Sequence, residues 1–131
     1  MGGMTKAIPL ALTLLLPLAA HAANQVSAPE KMTVVMVDNR FEPDHLTFHA
    51  GQPYALHLEN HGKEMHEFTA AKFLKAAKVK DEHLLSNGGT DIVVQPGKSV
   101  DVLLIAPPKG PYELICADHD WDGMVGGITV D

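Results

Sequence analysis

Within "CADHDWDGM", residues 116–124, the only cysteine of the 131-residue chain stands three places before His119 and eight before Met124. Thiolate, imidazole and thioether are soft or borderline donors, and soft sulfur selects copper, zinc or iron–sulfur clusters. One cysteine with two histidines and a weak methionine is the donor pattern of electron-transfer copper. Two other chemistries use part of the same set. A nucleophilic reading casts Cys116, Asp118 and His119 as nucleophile, orienter and base, but leaves Met124 without a role. A zinc reading is disfavoured by the thioether. Singly, a cysteine that ends a strand or a methionine that begins one is ordinary core filler; it is their spacing that makes a site.

The copper pattern requires a second histidine. His45, His49 and His57 fall on the outward faces of predicted strands, and His61 and His83 sit in polar loop sequence. His66, in "NHGKEMHEF", comes six residues after Asn60, where a strand ends, and just before the apolar Phe68. A loop at that place can carry it to the same end as Cys116. His45, His49 and His57, with Asp44, also raise the prospect of a separate outer-face metal site, since alternate residues of a strand share a face.

The elements that must position these side chains are short strands between turn signals. Strands are predicted over 32–38, 45–51, 53–60, 91–94, 99–105, 112–116 and 127–130, with "QPGK" and "PPKGP" among the turns. Over 53–60, Tyr54, Leu56 and Leu58 alternate with Ala55 and His57, one face for a core and one for water. Residues 70–85 have helical character, with Lys72, Lys75 and Lys78 recurring every three residues as a basic face. The gaps are too short for crossover helices, so the fold expected is all-β, an antiparallel β-sandwich of about seven or eight strands with one short helical insertion.

Residues 1–22, "MGGMTKAIPLALTLLLPLAAHA", carry Lys6, an apolar run and a small-residue Ala20-His21-Ala22 end, the pattern of a cleaved signal peptide. That assignment leaves 23–131 as one domain, exported and not inserted in a membrane, in an oxidising compartment where a lone cysteine has no internal disulfide partner. Its 9 basic residues stand against 16 acidic ones, a net charge of about −7. Nucleic acid and anionic lipid are excluded as partners by like charge, and cationic proteins or metal ions are favoured.

From about Met32 onward the chain resembles the cupredoxins, the small blue copper proteins, in "NRFEPDHLTFHAGQPYALHLENHGKEMHEF" and in "KGPYELICADHDWDGMVGGITV". The Cys-x2-His-x4-Met spacing matches the plastocyanin-like form. The resemblance implies an eight-stranded Greek-key sandwich holding one type 1 copper per chain at His66, Cys116, His119 and Met124, in a protein that moves single electrons as a monomer. "HEFTAAKF" further resembles small periplasmic cupredoxins that accompany bacterial ferrous-iron uptake systems, for which a role as iron oxidant is proposed. A periplasmic location and iron transport are what that finer resemblance implies.

The rim departs from the electron carriers, many of which keep an apolar docking patch. Asp118, Asp120 and Asp122 flank His119, and Glu64 and Glu67 flank His66. Hard carboxylates suit hard cations, so the rim fits ferrous iron as electron donor, in which case the protein is at most a copper-dependent ferrous oxidant. It equally fits steered docking of a basic redox partner protein, or a solvated loop. A module that stores or delivers copper without turnover is the remaining alternative. Trp121 is expected to cover the copper loop.

Overall fold

The computed structural model describes residues 1–4 and 27–131. The expected signal peptide falls outside the described residues apart from its first four. Among the described residues no helix is long and apolar enough to cross a membrane.

Ten strands and one short α-helix follow one another among the described residues: β1 (Glu30–Val37), β2 (Arg40–Glu42), β3 (His45–Phe48), β4 (Pro53–Asn60), β5 (His66–Thr69), α1 (Ala71–Ala76), β6 (Lys78–Val79), β7 (Asp91–Val94), β8 (Ser99–Ile105), β9 (Gly110–Ile115) and β10 (Val125–Val130). They form two five-stranded sheets, in the orders β2-β1-β4-β8-β6 and β3-β10-β9-β5-β7. This is the sandwich expected from the sequence, with three further short strands, β2, β5 and β6. Most pairings are antiparallel, but β1 with β4 and β3 with β10 run parallel. No crossover helix is needed for these, because the chain passes through β3, in the opposite sheet, between β1 and β4.

Period-two patterning decides which residues meet between the sheets. Tyr54, Leu56 and Leu58 of β4 are buried, as are Val34 and Met36 of β1, Val102 and Leu104 of β8, and Ile128 and Val130 of β10. Phe48 stands edge-on to Tyr54 with ring centroids 4.7 Å apart and packs on Phe73 of α1 at 4.9 Å. Helix α1 is a plug of six residues that buries Phe73 and Leu74.

The helix occupies only the first turns of the 70–85 stretch, the short insertion expected. Ala77 is extended, with ψ of 156°, and Lys78–Val79 pair with Ile105 and Leu104 of β8. Open edge positions on β8 and a β-branched Val79 outweigh the helical preference of the alanines and lysines. Lys78 therefore lies on a strand, and only Lys72 and Lys75 share the exposed side of the helix.

Three features bring loops to one end. Asn39 takes a positive φ of 70° and closes the two-residue turn between β1 and β2, which places Asp38 at the tip. The His61 amide donates to the Met36 carbonyl at 2.8 Å, so the 61–65 loop begins beside that turn. The antiparallel β9–β10 pair extends one step further, the Cys116 amide donating to the Met124 carbonyl at 3.0 Å, and residues 117–123 loop out from this closed base.

Candidate metal centre

Cys116 directly follows β9 with its side chain wholly buried, its Sγ accepting the Glu67 amide proton at 3.3 Å from β5. Burial raises the thiol pKa, and N–H donation from Glu67, Asp118 and His119 opposes that rise. Such donors favour the thiolate over the thiol once a cation replaces the proton.

Two imidazoles converge on this sulfur. His119 Nδ1 lies 3.5 Å from it and His66 Nδ1 4.0 Å, and the two rings meet edge-on with centroids 4.9 Å apart. All three donor atoms lie within 4.8 Å of one another, the one such grouping among the described residues. Metal bonds of about 2.0 Å to nitrogen and 2.3 Å to sulfur, meeting at roughly 110–130°, leave donors about 3.6–3.9 Å apart. The two sulfur–nitrogen spacings bracket that range, so the residues fit a soft metal ion. Met124 is fully buried at the same end, and its amide donates to the His119 carbonyl at 3.1 Å. Thiolate, two imidazoles and an adjacent thioether make the donor set of a type 1 copper site.

The Cys116–Met124 loop holds its shape through its own backbone. The His119 amide returns to the Cys116 carbonyl at 3.0 Å, and Gly123, at φ +85°, ends a single 3-10 turn over Asp120–Asp122. A side chain at that φ would be strained. Ala117 is tied to β5 through Thr69 Oγ1, which accepts its amide proton at 3.2 Å.

Each histidine is backed by a carboxylate on its far nitrogen. His66 Nε2 pairs with Asp38 Oδ1 at 3.0 Å, and His119 Nε2 with Glu64 Oε2 at 2.6 Å. Hydrogen bonding to His66 outweighs the opposing effect of burial and, with the amides of Lys63 and Glu64 adding to it, holds the Asp38 carboxyl below the usual carboxylate range.

Several expectations need correction. His66 is not carried by a loop; it is the first residue of β5, opposite Val94 on β7. Four residues were too few to read as a strand. Glu67 does not belong to the exposed rim. It is 6% exposed, and burial, followed by the neighbouring charges of Asp118 and Asp91, pushes its carboxyl up. Asp118, Asp120, Asp122 and Glu64 are exposed, as expected. Trp121 is 78% exposed rather than laid over the loop, although its Nε1 donates to the Asp118 carbonyl at 2.9 Å. His45, His49 and His57 do not assemble a second metal site. They bond separately to Thr129, Asp131 and Asp101, and β3 and β4 lie in different sheets. The nucleophile reading meets a sulfur with no exposure to a substrate.

Three residues the sequence reading did not single out complete the frame. Buried Asn60 donates to the carbonyls of Glu64 and Val94 at 2.8 Å and accepts the Gly62 amide proton at 2.8 Å. Asp38 and Gly62 stand behind His66. "VDN" and "NHG" signal turns in the sequence, and nothing in them says that those turns touch.

A family model described as a cupredoxin-like domain matches residues 6–130. No curated protein matches the chain. Among solved structures, dithionite-reduced auracyanin from the photosynthetic bacterium Roseiflexus castenholzii is 20% identical, with TM-score 0.59, covering 80% of this chain and 99% of its own. Auracyanin B is also 20% identical, with TM-score 0.61 and coverage of 80% and 91%. Auracyanin A, a "blue" copper protein from the green thermophilic photosynthetic bacterium Chloroflexus aurantiacus, is 18% identical, with TM-score 0.58 and coverage of 79% and 100%. At these identities the likeness is one of fold. With the family match spanning nearly the whole chain, the protein belongs to the cupredoxin-like domain family.

Proposed function

We propose that this is an exported, periplasmic type 1 copper protein that moves single electrons, with His66, Cys116, His119 and Met124 as ligands and ferrous iron as its electron donor. The observation that carries the copper assignment is the convergence of Cys116 Sγ with the Nδ1 atoms of His66 and His119 in a buried pocket. Bound copper supplies the one-electron couple that accepts an electron as ferrous iron becomes ferric. The residues of the chain do the remaining work. The strands under Cys116 and His66 keep the donors in place without a change of backbone, and the Glu67 amide holds the sulfur's charge.

His119 is the ligand nearest water, with its side chain 12% exposed. Its outer nitrogen is capped by Glu64, so approach from solvent passes an anionic side chain first. Exposed Asp118, Asp120 and Asp122 surround that approach and favour a cation over a neutral or anionic donor. A second reading, docking of a basic redox partner protein, is favoured by Trp121 and Val125, which are 78% and 50% exposed on the same rim and offer an apolar contact within the acidic surface.

Copper(II) added to the purified protein should produce an intense blue thiolate-to-copper band, and stopped-flow mixing with ferrous iron should bleach it. A colourless copper(II) complex overturns the site. A blue protein that ferrous iron leaves blue, while a basic redox protein reduces it, replaces iron by the partner reading.

A further inference from the structure

Of the two carboxylates behind the ligand histidines, Asp38 is the one the fold constructs. It comes from the tip of the β1–β2 turn, 28 residues before His66, and both of its oxygens accept the Lys63 amide proton, at 3.0 and 3.2 Å. Its position therefore does not depend on the histidine it meets. The intervening space exists because residue 62 is glycine: a Cβ there would fall inside contact with Asp38 Oδ1 and 2.8 Å from His66 Nε2. Gly62 is needed for room, not for an unusual φ. Its own amide is held by Asn60 Oδ1, so the gap is fixed in turn by a buried side chain.

We propose that Asp38 is the positioning residue of the centre, accepting the Nε2 proton of His66 and so presenting that ring with a bare Nδ1 toward Cys116 Sγ, through a gap that Gly62 keeps open. The proposal rests on the copper reading for its metal but not for its tautomer. A neutral imidazole has one N–H and one lone pair. A carboxylate only accepts, so a ring bonded to Asp38 through Nε2 must carry its proton there and leave Nδ1 free. The ring is fully buried, with water unable to substitute for the acceptor. An anionic acceptor also makes the imidazole a stronger donor, which favours copper(II) over copper(I).

The test uses Asp38→Ala, Asp38→Asn and Gly62→Ala, each compared with the parent by thermal unfolding. In the metal-free parent, long-range proton–nitrogen NMR couplings should report His66 with its proton on Nε2. Asp38→Ala should lose that single tautomer and weaken copper(II) binding by about 10–100-fold, the usual cost of removing an outer hydrogen-bond partner. Asp38→Asn, whose carbonyl still accepts, should restore the tautomer and most of the affinity while shifting the reduction potential to a more positive value. Gly62→Ala should resemble Asp38→Ala if it folds. The inference is overturned if the metal-free parent carries the proton on Nδ1, or if a folded Asp38→Ala keeps both tautomer and affinity. A parent with the Nε2 proton but no blue copper complex would sink the copper reading and leave the tautomer assignment standing.

Discussion

Histidine–carboxylate pairs occur at the loop end of the sandwich and on its outer face, and they do different things. On the outer face of β4, His57 bonds Asp101 at 2.6 Å and Glu59 at 2.9 Å, and His61 bonds the other oxygen of Glu59 at 2.7 Å. At the loop end, His66 and His119 make pairs of similar length with Asp38 and Glu64. Both nitrogens of His57 are engaged by carboxylates, leaving no lone pair to aim at a third group, and its side chain is 31% exposed. His66 spends only one nitrogen on a carboxylate and turns the other to a buried sulfur. A carboxylate beside a histidine thus marks a site only where a soft donor waits at the ring's other nitrogen and water is excluded.

The largest effect that can break this contrast is at the sulfur. Cys116→Ser should abolish the blue band altogether, whereas His57→Ala should leave it at parent intensity. Absorbance of the copper(II)-loaded proteins decides, and a blue Ser variant would remove the basis for treating the two regions differently.

Next in size is the response to neutralising the rim. Replacing Asp118, Asp120 and Asp122 together by Asn should slow reduction by ferrous iron severalfold and scarcely alter reduction by a neutral small-molecule donor. Raising salt should slow the iron reaction of the parent too, since exposed charges are screened beyond about 10 Å at 0.1 M. An unchanged iron rate in the triple variant would transfer the rim's role to a protein partner.

Met124→Leu tests whether the buried methionine is a weak ligand or only part of the core. The swap nearly conserves volume, so its cost in stability should be below about 1.5 kcal/mol. Colour should persist and the reduction potential should rise, because losing a weak donor disfavours copper(II). Loss of copper from this variant would contradict the assignment.

The smallest effect belongs to the outer face and concerns pH. The bond to Asp101, aided by Glu59, raises the His57 pKa against a smaller opposing effect of burial. A raised histidine contributes stability that is full below its ordinary pKa of about 6.5 and is lost as pH rises through the folded value. Bonds to His57 and then His61 lower the Glu59 pKa, so its contribution is present above the ordinary carboxylate range and lost as pH falls through its folded value. Asp101→Asn should therefore lower the thermal midpoint slightly near pH 6 and hardly at all at pH 8, with the copper band unaffected at either. A midpoint difference that grows toward pH 8 would refute the pairing.

Much of the architecture is legible in the residue order. Alternation over 53–60 named the buried face of β4 correctly, because side chains on a strand must alternate and only one face meets the core. The three donors of the last loop were equally legible, since Cys116, His119 and Met124 are close along the chain and their chemistry survives any conformation of the loop between them. Less legible were elements whose conformation depends on a neighbour. Lys78–Val79 becomes a strand only because β8 offers an edge, and His66–Thr69 only because β7 and β9 flank it. Glu67 looked like a rim carboxylate for the same reason: its burial comes from what packs over β5, not from its own neighbours in sequence.

What residue order alone established was a set of donors with a metal's preferences and a strand pattern able to hold them. Packing of the two sheets settled which nitrogen of each histidine faces the sulfur, that Asp38 and Glu64 take the other, and that a glycine must stand at 62. Those relations join residues as far apart as 38 and 66, or 64 and 119, and no local preference encodes them. They follow from strand register and from the requirement that a buried polar atom find a partner, conditions that exist only once the chain has closed on itself.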